Sequence, residues 1–425
     1  MLVASSTAKP TGRLKPSTRC LQMTPGQQLR AARTAVDLSL GDMARRLPWS
    51  KAALGFYETD HRPVPNEVIA AYREVVAHER HRLAEEDVIR RRALLSLGVS
   101  SIPGLLAVDS GPTAAPQRIG AGDVSAVKDM IALFSRADQR RGGGHARNAL
   151  AEYLKTDVSE ALAGTFRSEA VRQQLFSAAG EASYLVGWMA FDDGRHQEAH
   201  QAFALAVELA SEAGDAPLSG HVLRAMAHQA NDLGQTANAV NFSAASITGP
   251  SIELATPRER ALLRVVRART LVSAGEHRAA AKVLLQAEDD LVSADPGIEE
   301  PDRVFFFGEA SLAHETACAL RDMGDLDGAA REFERSVNAR RAETFARTHA
   351  VTLGYLAEVF AQQGELESAC DAWSRALDAM NGIRSGRARS VVRTLITTLD
   401  SHQGADVDAA VELRARAEDL LLASR

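Results

Sequence analysis

The chain has 425 residues, of which 45% are hydrophobic, 5% are aromatic and 24% are charged, and its formal net charge is −6. This length allows two or more domains, and no apolar run reaches the roughly 20 residues that a membrane-spanning helix needs. Its three cysteines, Cys20, Cys318 and Cys370, are too few and too scattered for a disulfide framework or a zinc site. We therefore expect a cytoplasmic protein that uses no metal or other cofactor.

Positive charge is concentrated at the N-terminal end. Residues 1–98 contain 16 Lys and Arg against 10 Asp and Glu, a net charge of +6, which leaves −12 for the rest. Such asymmetry suggests a polyanion-binding head on an acidic body, although six net charges are also compatible with an ordinary hydrated surface. Residues 1–23 precede the first helical pattern, and we expect them to form a disordered arm.

Three short helices with recognisable caps are expected next. The segment Thr24-Pro-Gly-Gln27 is suited to begin a helix, with Thr24 as N-cap and Gln27 reaching back to it. A second helix is predicted to begin at Ser39. After a Pro-Trp pair, Ser50 caps a third helix with the sequence Lys51-Ala-Ala-Leu-Gly-Phe-Tyr-Glu58.

This order of helices resembles the Xre/Cro-type helix-turn-helix of phage and bacterial repressors, over residues 24–77. The resemblance implies that the third helix lies in the DNA major groove, with its N-terminal residues facing base edges. Carried over position by position, the expected DNA-binding residues are Arg45, Arg46, Ser50, Lys51, Ala52, Phe56 and Arg62. Of these, Lys51, Ala52 and Phe56 would face bases and the others phosphates, although arginines on a small domain are also often merely hydrated.

The sequence departs from that family at several positions. Leu40 stands where the family usually has a phosphate-contacting glutamine, and Pro48 stands where it prefers a glycine. Thr59-Asp60 replaces the glycine that follows the third helix, and aspartate tolerates the left-handed conformation better than most residues. Gly55 weakens that helix by roughly 1 kcal/mol relative to alanine. The head could therefore retain the scaffold and use it for protein contacts.

Residues 78–125 are expected to form a linker helix followed by a flexible linker. The segment Arg90-Arg-Arg-Ala-Leu-Leu-Ser-Leu-Gly98 looks like a twin-arginine export signal, but it follows a complete motif, and we interpret it as the end of the linker helix. The stretch 99–125 is rich in Gly, Pro, Ser and Ala, as a domain boundary often is. The body would then occupy residues 126–425.

Within the body, a glycine is followed five residues later by an alanine at five places. The pairs are Gly194/Ala199, Gly234/Ala239, Gly275/Ala280, Gly324/Ala329 and Gly364/Ala369. Successive alanines are 40, 41, 49 and 40 residues apart, which is the spacing of stacked helix-turn-helix units. Each unit is predicted to contain a helix, a turn with its glycine in the left-handed conformation, and a second helix that begins on the small alanine.

Two further positions keep the same phase. Four residues after the alanine a bulky side chain recurs, with Ser243 as the exception, at Phe203, Leu284, Phe333 and Trp373. Twelve residues before the alanine a small residue recurs, at Gly187, Ala227, Ala268, Ala317 and Ala357. The pattern resembles the tetratricopeptide repeat, whereas an unrelated alanine-rich bundle would not keep five units in phase. The resemblances together imply an all-α fold, an N-terminal helix-turn-helix domain followed by a tetratricopeptide-repeat superhelix, with residues 294–301 as an inter-repeat loop.

In such a superhelix the first helix of each unit lines the concave surface. The residues expected there are Tyr184, Trp188, Arg224, His228, Asn231, Arg269, His314 and Arg321, with Glu181, Phe191, His221 and Glu358 beside them. This groove could hold an extended peptide, with Asn231 pairing with a main-chain amide and Arg224 or Arg269 with a carboxylate. Alternatively, several of these side chains pack against the next repeat or are hydrated.

The combination of head and body resembles a group of Gram-positive and actinobacterial transcription regulators that includes quorum-sensing proteins. The resemblance implies a cytoplasmic, nucleoid-associated homodimer that binds double-stranded DNA and holds a peptide, a small molecule or a protein partner in its repeats. The alternative is an interaction scaffold whose helix-turn-helix no longer recognises DNA.

Other constellations are interpreted as incidental. His196 and His200 lie one helical turn apart but have no third ligand, so we expect surface histidines and no metal site. The glycine-rich segment 141–145 lacks the lysine of a phosphate loop and is expected to join the linker to the body. No catalytic arrangement can be recognised, so we do not expect an enzyme.

Overall fold

The computed structural model describes residues 24–423 except residues 35, 37, 80–116, 295, 296, 298 and 402–407. The arm predicted for residues 1–23 and most of the predicted linker, including its twin-arginine-like segment, lie outside the described residues. What is described is almost entirely helical, which confirms the all-α class. It falls into two compact units, one within residues 1–85 and one within residues 86–425. None of the described helices is both long and apolar enough to cross a bilayer.

The N-terminal unit contains four helices whose caps the sequence largely predicts. They are α1 (Pro25–Thr34), α2 (Leu40–Arg46), α3 (Lys51–Glu58) and α4 (66–79). The amide of Thr24 donates to Oε1 of Gln27 at 3.1 Å, and the amide of Gln27 donates to Oγ1 of Thr24 at 3.3 Å. Ser39 caps α2, and Oγ of Ser50 accepts from the amide of Ala53 at 3.3 Å. All three predicted caps are therefore confirmed.

A buried ion pair fixes α3 against α1 and α4. Arg33 donates from Nε and Nη2 to the Glu58 carboxylate at 2.7 and 2.8 Å, and from Nη1 to the carbonyl of Leu38 at 2.6 Å. The hydroxyl of Tyr72 donates to the same carboxylate at 3.1 Å. Burial raises the pKa of Tyr72, so the hydroxyl remains a donor. Since loss of either charge would leave the other buried and unpaired, the orientation of α3 is strongly determined.

The turn after α3 uses an aspartate in the left-handed conformation. Asp60 has φ 56°, as its position in place of the family's glycine predicts. Its carboxylate accepts from the amide of Gly26 at 2.9 Å and from the hydroxyl of Thr24. A Cβ on Gly26 would lie 2.3 Å from the carbonyl oxygen of Tyr57, so glycine is needed where α1 meets α3.

The second unit is built from consecutive antiparallel helices. Its elements are β1 (Arg118–Ile119), α5 (Ala121–Arg141), α6 (Gly143–Tyr153), a π-helical turn (Leu154–Val158), α7 (Ser159–Leu162), β2 (Thr165–Phe166), α8 (Glu169–Asp192), α9 (His196–Ala213), α10 (Ala216–Asp232), α11 (Thr236–Ser246), α12 (Pro250–Glu253), α13 (Pro257–Ser273), α14 (His277–Val292), a 3-10 turn (Asp302–Val304), α15 (Glu309–Asp322), α16 (Leu326–Ala339), α17 (Ala346–Gln363), α18 (Leu366–Ala379), α19 (Gly386–Ser401) and α20 (Asp408–Ala423). The two short strands pair in parallel.

Two predicted boundaries differ from the structure. Helix α5 begins at Ala121, so the ordered body starts before the predicted end of the linker at residue 125. The glycine-rich segment 141–145 is a tight corner and not a loop, because Gly142, with φ 83°, ends α5 and α6 begins at Gly143. A Cβ on Gly143 would lie 2.2 Å from the carbonyl oxygen of Met189, and this close approach explains the glycine.

Five helix pairs follow the predicted phase: α8/α9, α10/α11, α13/α14, α15/α16 and α17/α18. The glycines of the turns all have left-handed φ angles between 69° and 89°, at Gly194, Gly234, Gly275, Gly324 and Gly364. The second helices begin three residues before the predicted alanines, which are the fourth residue of each helix and are fully buried, at Ala199, Ala239, Ala280, Ala329 and Ala369. Ser243, the exception among the bulky positions, hydrogen-bonds Oγ1 of Thr270 at 2.7 Å, so a polar contact replaces the apolar one.

The first and last helix pairs are joined by one buried arginine. Arg347 in α17 donates to Asp192 at the end of α8 at 2.9 Å and to Asp138 in α5 at 3.1 Å, and all three side chains are buried. We call these three residues the closing contact. Close by, the amide of Arg384 donates to the carbonyl of Arg141 at 2.7 Å. The row of helix pairs is therefore closed upon itself.

A close contact between α8 and α9 gives a first prediction. A Cβ on Gly187 would lie 2.6 Å from Cδ1 of the buried Phe203 ring. We expect Gly187→Ala to lower the free energy of unfolding by about 1–3 kcal/mol through overpacking. Gly122→Ala in α5 is the control, because nothing lies within 4 Å of its Cβ position. Urea unfolding of the full chain measures both, and equal effects would contradict the packing argument.

The closing contact gives a second prediction. Arg347→Met would leave Asp138 and Asp192 buried without their partner, and we expect a loss of about 3–5 kcal/mol in the free energy of unfolding. Arg335→Met is the control, because its 3.1 Å ion pair with Glu309 is solvent-exposed and should contribute under about 1 kcal/mol. Urea unfolding compares the two, and a loss no larger than that of the control would show that the closing contact is not needed.

Candidate functional site

Four of the predicted DNA-binding residues share one exposed side of the N-terminal unit. Lys51, Ala52 and Phe56 lie on the side of α3 away from the core, and the Phe56 side chain is 45% exposed. The guanidinium of Arg62 lies 5.4 Å from the centre of the Phe56 ring. We call these four residues the α3 face. It offers a cation, a second cation stacked on an aromatic ring and a small apolar side chain to a partner.

The other three predicted residues already have contacts within the unit. The hydroxyl oxygen of Ser50 accepts the capping bond of α3, but its proton remains able to reach a phosphate. Arg45 pairs with Asp42 one helical turn before it, and Nη1 of Arg46 lies 2.8 Å from the buried carboxylate of Glu79. Arg46 thus holds α2 to α4, and both arginines are substantially neutralised.

Residues 24–79 of the head carry equal numbers of basic and acidic side chains. Residues 24–79 contain seven Lys and Arg and seven Asp and Glu. The positive excess of residues 1–98 therefore lies in residues 1–23 and 80–98, which together hold nine Lys and Arg against three Asp and Glu. Leu40, in place of the family's glutamine, is half-buried and packs on the core of the unit. The net positive charge of the head thus lies in the flanking segments.

In the second unit, the predicted groove is largely filled by its own side chains. Tyr184, Arg224, His228 and His314 are each at most 8% exposed, which is what the packing alternative predicts for them. The closing contact joins α17 to α5 and α8 at the edge of this interior. The periodicity of the sequence predicts that these side chains face inward, and they do. It could not indicate that the interior is closed.

Two arginines from different helices contact one tryptophan at the centre of this interior. The guanidinium carbons of Arg224 and Arg387 lie 5.2 and 5.1 Å from the centre of the Trp188 ring, within the range of cation–π attraction. The rings of Trp188 and His228 are 5.8 Å apart, and those of Tyr184 and Trp188 are 6.4 Å apart. We call these five residues the Trp188 cluster.

Arg224 is buried, and no carboxylate pairs with it within the described residues, as is also the case for Arg340 just after α16. Arg224 is only 2% exposed, and its contacts are the Tyr184 hydroxyl at 2.8 Å, Nε2 of His221 at 3.4 Å and the Trp188 ring. Its Nε is buried without a hydrogen bond. Burial and the charge of Arg224 hold the pKa of His221 well below its usual range, so His221 is neutral. A carboxylate or other anion would be bound favourably at Arg224.

Arg269 is already paired with two carboxylates that the sequence did not single out. Its Nη1 lies 3.1 Å from Glu315 and its Nη2 lies 3.8 Å from Asp232, and His228 lies between the same two groups. Although burial raises it, the charge of Arg269 brings the pKa of Glu315 down to about 2. Arg269 is therefore unsuited to bind a ligand carboxylate. Asn231 retains a buried Oδ1 without a hydrogen bond.

The remaining two predicted groove residues contact the last helix pair. Nδ1 of His314 lies 2.9 Å from Oγ1 of Thr352, and the guanidinium of Arg321 lies 5.3 Å from the centre of the Tyr355 ring. Burial lowers the pKa of His314 to about 3 and raises that of Cys318 to about 12. The imidazole is therefore neutral and the thiol protonated, so neither is prepared for acid–base or nucleophilic work.

A surface pocket of about 450 Å³ lies between α5, α8 and residues 299–305. A narrow cavity of about 30 Å³ shares Glu181 and Arg303 with it and reaches Tyr184 and Trp188. Arg303, which follows the predicted inter-repeat loop, lies 2.9 Å from Glu181 and 2.7 Å from Glu259. The loop thus contributes a buried cation that no periodicity indicated, and the pocket leads toward the Trp188 cluster.

No protein-family model matches this chain, and no curated protein matches it. In the part of the chain that the structure describes, no group of three or more His, Cys, Asp or Glu is arranged to hold a metal ion. What the protein does must therefore be inferred from the α3 face and the Trp188 cluster.

A buried neutral histidine gives a prediction about pH. Because the pKa of His314 falls from about 6.5 in the unfolded chain to about 3 in the fold, the unfolded state binds the extra proton as pH falls below 6.5. His314 thus lowers stability by up to about 1.4 kcal/mol for each pH unit below 6.5. We expect His314→Gln to remove that contribution, seen as a shallower slope of unfolding free energy between pH 7 and 5. The exposed His277→Gln should leave the slope unchanged, and parallel profiles for the wild type and His314→Gln would contradict the assignment.

Proposed function

We propose that the protein is a DNA-binding transcription regulator whose second unit, a tetratricopeptide-like body, holds a signal or a partner. The observation that carries the proposal is the α3 face. It stands on a helix that the buried Arg33–Glu58 pair orients and Ser50 caps, while its polar and apolar side chains remain exposed. Exposure on a fixed helix is what insertion into a groove requires.

The α3 face suits the major groove in residue type. Lys51 can donate to the acceptors of guanine, and Ala52 and Phe56 can contact the methyl group of thymine. Lys51 also begins α3, where the helix dipole favours a nearby phosphate. Ser50 can donate its proton to that phosphate while it continues to accept the capping bond. Helix α2 would then cross the DNA backbone, as in other helix-turn-helix proteins.

The affinity for DNA would come largely from outside the described residues. Arg45 and Arg46 are occupied by carboxylates, so the cations of residues 1–23 and 80–98 are the main candidates for neutralising phosphates. Each such contact should contribute roughly −0.9 to the slope of log affinity against log salt concentration. One head contacts only a few base pairs, so two heads in a homodimer would bind two half-sites about one helical turn apart.

The signal would bind at the Trp188 cluster. Arg224 supplies an unneutralised buried cation, Trp188 an aromatic surface and Asn231 an unbonded amide oxygen. A carboxylate on a small molecule or at a peptide terminus can accept from Arg224, and an N–H group of the ligand can donate to Oδ1 of Asn231, which lies outside the cluster in the same helix, α10. To change DNA affinity 5- to 150-fold, the ligand must favour one arrangement of the body over another by about 1–3 kcal/mol.

A scaffold without DNA recognition is the second candidate, and one observation favours it. Residues 24–79 of the head carry equal numbers of basic and acidic side chains, and the most exposed aromatic side chain there, Phe56, would suit a protein surface as well as a thymine methyl. In that case the body would still bind a partner, and the α3 face would be a protein contact.

Genome-wide immunoprecipitation of the tagged protein, followed by fluorescence anisotropy on the recovered fragments, tests the regulator. We expect Lys51→Ala to relax discrimination at one base pair by about 1–3 kcal/mol and Arg62→Ala to weaken all sequences alike. The exposed Arg73→Ala in α4 is the control. Arg46→Ala is unsuitable, because it also removes the partner of the buried Glu79. Failure to recover or bind DNA even at low salt would reject the regulator and leave the scaffold.

A further inference from the structure

A cavity of about 1260 Å³ lies where the first and last helices of the body meet. One side of it is formed by the start of α6 and the turn between α8 and α9, and the other side by residues 377–393 and by α20. Four arginines line it, at Arg195, Arg384, Arg389 and Arg393. We call this space the arginine cavity. None of the residues predicted for the repeat groove lines it, so it is separate from the Trp188 cluster.

Two of the four arginines are available to an anion. Arg384 and Arg393 are exposed, and neither has an ion pair within the described residues. Arg141, which is exposed and has no ion pair in the part of the chain that the structure describes, lies beside Arg384, because its carbonyl accepts from the Arg384 amide at 2.7 Å. Arginine presents a planar fork of donors that matches a carboxylate or a phosphate with two parallel bonds.

The acidic residues of the walls offset this charge only in part. Asp193 pairs with Arg389 at 2.9 Å and with Arg195 at 3.2 Å, and Asp378 has a partner of its own on α20. Asp419 remains, exposed on α20. The unpaired arginines therefore outnumber the unpaired aspartate, and the cavity attracts negative charge although residues 99–425 carry a net charge of −12.

The backbone of Arg384 is held in place, whereas its side chain is not. The Arg384 carbonyl accepts from the amide of Gly144 at 3.0 Å, and a Cβ on Gly144 would lie 3.1 Å from Oδ1 of Asp193. The two sides of the cavity thus touch at this point. Arg393 stands one helical turn after Arg389 on α19. Cations on such fixed elements bind an anion without any ordering of the main chain, which favours affinity.

Size and lining decide which anion fits the arginine cavity. The cavity is larger than the roughly 300–1,000 Å³ of small-molecule sites. Its floor is apolar, with Leu377 and Met380 buried and Ile383 half-buried. Sites for single-stranded nucleic acid stack bases on aromatic rings, but no aromatic side chain is among the described residues that line this cavity. A polypeptide segment that carries both carboxylates and a bulky apolar side chain matches the lining.

We propose that the arginine cavity binds an acidic segment of a partner protein, with carboxylates on Arg384 and Arg393 and an apolar side chain on the floor. The ion pairs are partly exposed, so salt screens them and each contributes modestly to affinity. Because the walls come from both ends of the row of helix pairs, the bound segment contacts the turn after α8 and helix α19 at once. The proposal rests neither on DNA recognition nor on the Trp188 cluster.

A library of random short peptides displayed on phage tests the class of partner. The peptides are joined to the coat protein by their C-termini, so they carry no free terminal carboxylate that could bind at Arg224. Selection on the full chain should enrich peptides that combine several Asp or Glu residues with Leu, Ile, Met or Phe. No enrichment, or enrichment of peptides without acidic residues, overturns the proposal.

Charge reversal locates the binding site. In fluorescence anisotropy with the most enriched peptide, Arg384→Glu combined with Arg393→Glu should raise the dissociation constant at least roughly tenfold, because like charges then face each other. Arg278→Glu combined with Arg331→Glu is the matched control, since both arginines are exposed, have no ion pair within the described residues and lie outside the cavity. Circular dichroism and the urea midpoint confirm that both double variants are folded. A dissociation constant that changes equally in the two, or in neither, overturns the location.

Nucleic acid is the other polyanion that arginines bind. The same two double variants are therefore titrated with labelled single-stranded DNA and with labelled duplex DNA. The cavity variant should bind both DNAs as the control variant does. If Arg384→Glu with Arg393→Glu weakens DNA binding and leaves the peptide unaffected, the cavity holds nucleic acid and the proposal is overturned.

Discussion

The body of this protein depends on a buried arginine in α17 that pairs with two carboxylates in the first helices of the body, α5 and α8. Arg347 pairs with Asp138 and Asp192 across 209 and 155 residues of sequence. Burial raises the pKa of Asp138 to about 6 while the charge of Arg347 opposes that shift. Charges taken out of water are costly unless they are paired, so each of the three groups is stable only while the others are in place. The contact therefore ties α17 to the first helices of the body.

Closure changes what the interior arginines can do. Arg269, Arg303 and Arg347 each have a carboxylate within about 3 Å, so their charge is already satisfied. Arg224 is equally buried but contacts a phenol, an imidazole and an indole. Of the three arginines that the repeat pattern nominates, Arg269 and Arg321 are paired with carboxylates, and Arg224 is not paired with one within the described residues. In the proposed function, an anion bound at Arg224 would therefore displace no existing carboxylate.

Local features could be predicted from the sequence, and distant pairings could not. Left-handed glycines such as Gly194, the caps of α1 to α3 and the conformation of Asp60 follow from chemistry within a few residues. The repeat periodicity also predicts that Tyr184 and Arg224 face inward, where they are buried. It could not show that Arg347 would reach Asp138, because small rotations between successive helix pairs decide whether the row closes. The pairing of Arg46 with Glu79 joins residues 33 positions apart, and no local pattern in the sequence indicates it.

Magnitudes limit how a signal could act through such a body. Removing one partner from a buried charge pair costs about 3–5 kcal/mol, whereas a 5- to 150-fold change in DNA affinity needs only about 1–3 kcal/mol. Opening the closing contact would therefore cost a ligand more free energy than the coupling between ligand binding and DNA binding requires. In the proposed function, binding at Arg224 would instead shift α8 and α10 slightly, since the contacts of Arg224 are cation–π contacts and neutral partners, Tyr184 at 2.8 Å and His221 at 3.4 Å, which rearrange at lower cost than a buried ion pair. The cost of breaking the closing contact therefore favours small rotations between helix pairs over opening of the ring.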